Sequence, residues 1–408
     1  MLKKMFSGDL GKGMIVLFIT MNLFNFFNFL FHFSMGRLLG PANYGILAVL
    51  MSIVYLYGIP IEALQNIMSR YTTKFSSKKE YGKIKFLMKK SLRKATFLSI
   101  ILFFILIPVA FFVSEFLKIN FWLILLTNLL IFFSFLTPIT RGILQGRKEY
   151  TKLGLSLIIE SIIKLLLAVL LVTIGMQVFG AIIGLLIGIS SGLIFSFYFN
   201  KDILGKKEEK SSFHEIYSES IPYFISMLVI FLFLNLDIIL AKRFFSPDLA
   251  GKYSVLSMLG KVIFFGTAAI GKAMFPITSE KHDNNQSSSS SFKKSLLVIF
   301  LLCLSAVLVY LILPEIVISI LYGKQYLEMA PYLVYSGIAL SLLSFSNLIL
   351  IYGLSTNKIK KPQYLFIFLI IDVILLFSFH ENIGQYILAF MFSNLLMFTA
   401  CLISLKRK

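Results

Sequence analysis

Arg37-Leu38-Leu39-Gly40-Pro41-Ala42-Asn43-Tyr44-Gly45 returns as Arg243-Phe244-Phe245-Ser246-Pro247-Asp248-Leu249-Ala250-Gly251. Arg, Pro and Gly keep their spacing across an offset of 206 residues in a chain of 408, half its length. Each copy joins two long apolar stretches. Reading outward from them gives twelve such stretches, near 11–35, 43–69, 93–113, 119–140, 153–174, 177–199, 218–241, 252–277, 295–321, 329–355, 363–379 and 383–405. A membrane helix needs roughly 20 apolar residues to cross the hydrocarbon core. The pattern is that of six helices duplicated into a second six, as in many secondary transporters. The expected fold is an all-α polytopic membrane protein of about 12 spans, in two pseudo-symmetric six-helix lobes around a central cavity. The lobes are expected over 1–205 and 206–408.

Composition agrees. The chain is 58% hydrophobic and 14% charged, more apolar surface than a soluble domain can hide. No connection exceeds about 25 residues, which leaves no room for a catalytic domain inserted between spans.

The net charge of +20 would suit a nucleic-acid binder until the 39 basic residues are sorted by loop. With the N-terminus inside, thirty fall on the cytoplasmic side, ten of them in Arg70–Lys94. Six fall outside: Arg37, Lys118, Lys242, Arg243, Lys252 and Lys324. Basic residues resist translocation, so the bias puts both termini in the cytoplasm and makes the charge a topology signal. A multi-pass plasma-membrane protein (cell inner membrane in a Gram-negative cell) is expected, with membrane lipids as partners and no nucleic acid. Lys3, Lys4 and Lys12 precede a first span too long for a cleaved signal segment, so that span is expected to be retained. Cys303 and Cys401 fall inside spans and read as small packing residues.

Three connections stand out. Lys201–Tyr217, of mixed charge, reads as a mobile linker between the lobes. Ser287–Ser291 reads as low-complexity and disordered. In Tyr71–Lys94, Tyr81, Ile84, Leu87, Met88 and Leu92 recur at helical spacing between lysines. That segment reads either as a positive-inside loop with a few apolar contacts or as an amphipathic helix on anionic headgroups.

Three stretches together resemble the polysaccharide flippases (Wzx type) of the multidrug/oligosaccharidyl-lipid/polysaccharide exporter superfamily. They are Gly36–Gly45, Arg141-Gly142-Ile143-Leu144-Gln145-Gly146 at the end of span four, and Asn235-Leu236-Asp237 running through Pro247 to Gly251-Lys252-Tyr253-Ser254. The resemblance implies a flippase that carries a polyprenyl-diphosphate-linked oligosaccharide across the plasma membrane for surface polysaccharide biosynthesis, by alternating access. Candidate protein partners are the polysaccharide polymerase and glycosyltransferases. Spacing alone would give only a two-lobed transporter.

Polar residues inside spans are expensive and mark function or pairing. Lys164, Lys261 and Lys272 are the cations there. Lys164 follows Glu160 by four residues, the favoured spacing for a helical ion pair, either structural or facing the cavity and opening when substrate or an ion binds. Lys261 and Lys272, eleven residues apart, differ by about 20° around one helix and about 16 Å along it. Lys272 is a second candidate for the substrate cavity, or it can reach the cytoplasmic interface. Lys261 is at mid-span and is expected to face a water-filled cavity, where a diphosphate headgroup needs a cation. The other reading makes it a structural partner of Asp237. Asn22, Asn25, Asn28 and His32 share one face of span one, as a cavity wall for sugar hydroxyls or as interhelical hydrogen bonds. Glu62, Glu160, Asp237 and Asp372 could carry H+ or hold Na+ as the coupling ion, or serve in structural pairs.

No G-x-x-x-x-G-K-[ST], H-E-x-x-H or Cys/His metal pattern occurs, so neither enzyme activity nor a cofactor is expected. Two rivals remain. One is a cation-coupled multidrug antiporter of the same superfamily, disfavoured because three interior lysines balance the acids. The other is a non-transporting scaffold for polysaccharide enzymes, against which the polar cavity residues argue.

Overall fold

A computed structural model of the chain describes residues 9–210, 221–284, 286–359 and 362–406. Its regular elements among those residues are all helical. A bilayer core offers no water to unpaired N–H and C=O groups, and a helix satisfies them within one segment. In chain order the helices are α1 (Asp9–Tyr57), α2 (Ile59–Ser77), α3 (Tyr81–Leu117), α4 (Phe121–Asn128), α5 (Leu130–Gly146), α6 (Tyr150–Leu171) and α7 (Gln177–Phe199). They continue as α8 (Lys201–Leu204), α9 (Ile221–Phe233), α10 (Leu236–Phe244), α11 (Pro247–Asp283) and α12 (Ser289–Ile312). The last are α13 (Pro314–Leu321), α14 (Leu333–Ser355), α15 (Leu365–Ser378) and α16 (Ile383–Lys406).

Nine helical segments among the described residues are long and apolar enough to span a membrane. Two of them, Ile19–Tyr57 and Tyr150–Phe199, each cover most or all of two expected spans, the remainder of the 43–69 span lying in α2, and Pro362–Ser378 supplies a shorter one. Each expected span thus has a counterpart. The double segments are broken at glycines: Gly40 has φ 71° and ψ 170°, just before Pro41, and Gly175 has φ 97°. Only glycine adopts these backbone angles at little cost. Outward faces are apolar, with Phe97, Phe104 and Phe112 at 67%, 63% and 71% exposure. That is the surface of a multi-pass membrane protein.

The chain divides into two compact units, Met1–Leu39 with Ile53–Glu215 and Gly40–Ser52 with Ile216–Lys408. The division falls ten residues beyond the expected 205/206 boundary, and Gly40–Ser52 groups with the second unit. The two motif copies explain this grouping. A Cβ on Gly45 would lie 2.8 Å from the Gly251 Cα, and one on Gly251 would collide with the Pro41 carbonyl. Tyr44 is buried against Tyr322 and Tyr326, with ring centroids 5.6 and 6.4 Å away. Residues related by the 206-residue repeat thus touch inside one packed unit.

In the first unit α7 carries Gly180, Gly184, Gly188 and Gly192, one per turn, facing α6. A Cβ on Gly184 would lie 2.5 Å from the Ala168 N, and one on Gly188 would lie 2.5 Å from the Lys164 Cβ. Small residues at this spacing let two membrane helices approach backbone to backbone.

Three expectations change. Tyr81–Lys94 forms the first turns of α3, and Ile84, Leu87 and Met88 pack into a core with Met68, Phe75, Ile143 and Ile203. Its apolar face is therefore covered by protein and not by headgroups. The first half of the Lys201–Tyr217 linker is docked on the same helix. Lys85 donates to the Lys206 carbonyl at 2.7 Å, the Glu209 N–H donates to the Gly82 carbonyl at 3.2 Å, and Lys89 pairs with Glu208 at 2.8 Å. Arg147 is bound to Asp202; burial pushes that carboxyl up, but the guanidinium holds it below the ordinary carboxylate range. Residues 211–217 of the linker lie outside the described residues. In the serine run, Ser289–Ser291 open α12 and buried Ser288 bonds the Tyr352 hydroxyl at 3.2 Å, so these serines are ordered.

Candidate functional site

Each unit buries one of the expected lysines on an asparagine of its first span. In the first unit, α6 presents Glu160, Lys164 and Ala168 one turn apart toward the glycine stripe. Gly192 leaves the space for this polar face, because a Cβ there would lie 2.5 Å from Glu160 Oε2 and 2.7 Å from Arg141 Nη2. Lys164 is 5% exposed, donates to Asn28 Oδ1 on α1, and lies 4.8 Å from the centre of the Phe31 ring. Asn28 is anchored in turn by its own Nδ2, which donates to the Phe24 carbonyl at 2.8 Å.

Glu160 and Lys164 are electrostatic neighbours, as their spacing suggested, but the direct ion-pair contact of Glu160 is with Arg141. Glu160 Oε2 accepts from Arg141 Nη2 at 2.6 Å, and Arg141 also donates to the Ser156 hydroxyl and carbonyl, both at 3.2 Å. The reason is geometric. Arg141, near the C-terminal end of α5, faces α6 across the helix pair and delivers a guanidinium to Glu160. A Lys four residues along α6 must bend along its own helix to reach the same carboxylate. Gln65 and Gln145 bond side chain to side chain at 2.8 Å nearby. Gln65, Ser134, Thr137, Arg141 and Glu160 supply the polar lining of a cavity of about 110 Å³ in this unit.

In the second unit the helix of span seven breaks between α9 and α10 at Leu234–Asn235. A broken span frees backbone and side-chain groups for polar work inside the bilayer. Lys261 of α11 is 1% exposed and donates to Asn235 Oδ1 at 3.0 Å. Asp237 is fully buried beside it, with Asp237 and Lys261 electrostatic neighbours. Tyr253 donates to Asp237 Oδ2 at 3.1 Å, and Tyr386 to its carbonyl at 2.7 Å. Asp372 of α15, also fully buried, accepts from the Ser393 hydroxyl and is an electrostatic neighbour of Asp237. One oxygen of each acid, Asp237 Oδ1 and Asp372 Oδ2, has no hydrogen-bond partner.

The remaining sequence candidates are scattered. Lys261 was expected to face water; it is instead enclosed, because the span-seven break brings Asn235 and Asp237 to it. Lys272 is exposed. Asn22 and Asn25 are exposed too, and Asn28 holds Lys164. His32 is buried, with Nε2 3.4 Å from the Tyr55 hydroxyl. The Glu62 side chain lies outside the described residues. Cys303 and Cys401 are buried and free. Sequence reading missed Arg141 as the partner of Glu160, and it missed Tyr253, Tyr386 and Ser393.

A family model described as "Polysaccharide biosynthesis protein" matches residues 34–331. No curated protein matches the chain. Among solved structures, an inward-facing multidrug resistance MATE family transporter of the MOP superfamily aligns over 96% of this chain and 98% of its own. It shares 14% identity, with a TM-score of 0.74. A MATE protein in complex with MaL6 aligns over 98% of both chains, at 14% identity and TM-score 0.67. A MOP superfamily transporter from Pyrococcus furiosus, reported to have a binding pocket of reverse polarity, aligns over 99% of this chain and 98% of its own. Its identity is 16% and its TM-score 0.63. Family and fold are those of membrane transporters, and the chain belongs to the polysaccharide biosynthesis protein family, with the fold of the MOP superfamily transporters.

Proposed function

We propose that the chain is a flippase that moves a polyprenyl-diphosphate-linked oligosaccharide to the outer leaflet of the plasma membrane for surface polysaccharide synthesis. Transport proceeds by alternating access, with both termini cytoplasmic. The observation that carries this reading is the pair of buried lysines, Lys164 and Lys261, each bonded to a neutral amide, Asn28 and Asn235. An amide oxygen is a weaker partner for an ammonium than a charged oxygen is, so a diphosphate can displace the amide when a lobe rearranges, in competition with the carboxylate beside each lysine, Glu160 or Asp237. A pump for cationic drugs would be poorly served by buried ammonium groups. The Pyrococcus relative with reversed pocket polarity gives a precedent for such a departure within the same fold.

We further infer that the coupling cation, H+ or Na+, is taken at Asp237 and Asp372. Asp237 and Asp372 are buried electrostatic neighbours, Lys261 lies beside Asp237, and each carboxylate has an oxygen without a hydrogen-bond partner. Burying a carboxylate oxygen unpaired is costly, and a cation removes that cost. The polymerase and glycosyltransferases of the same polysaccharide remain the candidate protein partners.

The test is complementation of a deletion strain. Lys261→Arg keeps the charge and retains part of the surface polysaccharide. Lys261→Gln, present at normal levels, accumulates lipid-linked precursor on the cytoplasmic side, and exposed Lys272→Gln does not. Wild-type export by a normally expressed Lys261→Gln variant refutes the role of Lys261.

A further inference from the structure

The exposed face of α3 changes character along its length. Phe97, Phe104 and Phe111 are exposed and follow one another at seven-residue intervals, a step that drifts only about 20° around a helix. Ile101, Ile105 and Phe112 are exposed beside them. From Phe97 to Phe116 this apolar strip runs about 29 Å at 1.5 Å per residue, the thickness of a hydrocarbon core. Exposed Trp122 follows just past its far end, and Trp is enriched where a bilayer meets water.

Beyond Phe97 the same face turns cationic. Lys90 lies seven residues before Phe97, and Arg93 and Lys94 lie seven before Ile100 and Ile101; all three cations are exposed. Arg93 and Lys94 leave the helix about 4–6 Å past Phe97, at headgroup depth for a core of that thickness. Arg93 makes no hydrogen bond or ion pair among the described residues. At the opposite end of the strip, exposed Glu115 and Lys118 cancel. The charge bias of the chain accounts for cations on this side of the membrane. It does not account for their standing in line with the lipid-facing residues, where a lipid whose chains cover Phe97 and Ile101 must put its headgroup. The helix is fixed from behind, since Ile84, Leu87 and Met88 pack into the core with Met68 and Phe75, so little is lost in ordering it.

We propose that Arg93 and Lys94, with Lys90 one turn further out, bind the headgroup of an anionic glycerophospholipid of the cytoplasmic leaflet, whose acyl chains lie along Phe97, Ile101 and Phe104. Each Lys or Arg near an anionic headgroup strengthens binding roughly fivefold. The site needs only the membrane fold and stands apart from the flippase reading.

The experiment uses the full-length protein, purified in detergent and stripped of lipid, with phosphatidylglycerol and zwitterionic phosphatidylethanolamine as probes. Native mass spectrometry follows bound lipid through a titration, and thermal unfolding is measured in the same samples. The wild type binds phosphatidylglycerol more tightly than phosphatidylethanolamine and melts at a higher temperature with it. Arg93→Gln with Lys94→Gln weakens phosphatidylglycerol binding about thirtyfold and loses the gain in melting temperature, while phosphatidylethanolamine binding is unchanged. Arg93→Lys with Lys94→Arg retains both. Lys78→Gln with Lys79→Gln removes two exposed cations that precede α3 and behaves as the wild type. Glycerol 3-phosphate does not displace the lipid. Equal phosphatidylglycerol binding by the wild type and by Arg93→Gln with Lys94→Gln overturns the site. An equal loss in Lys78→Gln with Lys79→Gln reduces the effect to net charge and overturns it as well. Displacement by glycerol 3-phosphate makes it a free-phosphate site and overturns the lipid assignment.

Discussion

Removing Arg141 is the most informative single perturbation of the first unit. Its guanidinium is 9% exposed as a side chain, lies 2.6 Å from Glu160 Oε2, and makes two further bonds to Ser156. In Arg141→Leu, Glu160, 11% exposed as a side chain, loses its hydrogen-bonded cation. Breaking a buried pair from one side typically costs about 3–5 kcal/mol, whereas replacing both partners by apolar groups is often neutral. For a unit of about 200 residues, 1 kcal/mol corresponds to roughly 2–4 °C of melting temperature. Arg141→Leu therefore lowers the melting point by roughly 6–20 °C, and Arg141→Leu with Glu160→Leu recovers most of that loss. Lys164→Leu combined with Glu160→Leu shows a smaller recovery, because Lys164 is hydrogen-bonded to Asn28 and only an electrostatic neighbour of Glu160. The assay is intrinsic-fluorescence thermal unfolding of purified protein in one detergent, at one scan rate because unfolding is irreversible. A coupling below about 0.5 kcal/mol between Arg141 and Glu160, or a larger one between Lys164 and Glu160, refutes the assignment.

Two further outcomes follow from packing and charge bias. Gly192→Ala presses a methyl group into the Arg141–Glu160 pair and lowers the melting temperature, while Gly266→Ala, with nothing within 4 Å, leaves it unchanged or raised; equal effects would sink the glycine-stripe account. With Cys303 and Cys401 replaced, membrane-impermeant maleimide added to intact cells modifies Asn43→Cys and Asp248→Cys but not Ser77→Cys or Ser289→Cys; external labelling of position 289 overturns the topology.

What could be read from the sequence was what repeats or accumulates. Twelve spans follow from apolar runs long enough to span a bilayer, and the two-part plan follows from Arg37–Gly45 recurring at Arg243–Gly251. Pairing between helices was less legible. Glu160 and Lys164 satisfy the i, i+4 rule, yet the rule ranks only neighbours on one helix, and the stronger donor Arg141 arrives from another. Arg141 lies in a stretch, Arg141–Gly146, that drew notice through resemblance, but nothing in its spacing points to residue 160. The stripe Gly180, Gly184, Gly188 and Gly192 was in plain view as a four-residue period. It would have announced a close α6–α7 crossing, and with it that any polar group on the facing side of α6 is enclosed. The break at Asn235 has no Pro or Gly to signal it, so the enclosure of Lys261 could not be read from residue order. Ser288–Ser291 misled for the opposite reason, since low complexity does not prevent serines from opening a helix and bonding Tyr352.

The central claim is that this chain translocates an anionic lipid-linked sugar. The direct measurement is reconstitution into proteoliposomes loaded with a polyprenyl-diphosphate-linked oligosaccharide, with the substrate reaching the opposite leaflet followed by its accessibility to an impermeant glycosidase. The account predicts protein-dependent translocation that needs a cation gradient and is lost in Lys261→Gln and in Asp372→Asn. Translocation at the rate of empty liposomes, together with gradient-driven export of a cationic dye by the same preparation, would contradict it and assign the fold to drug extrusion.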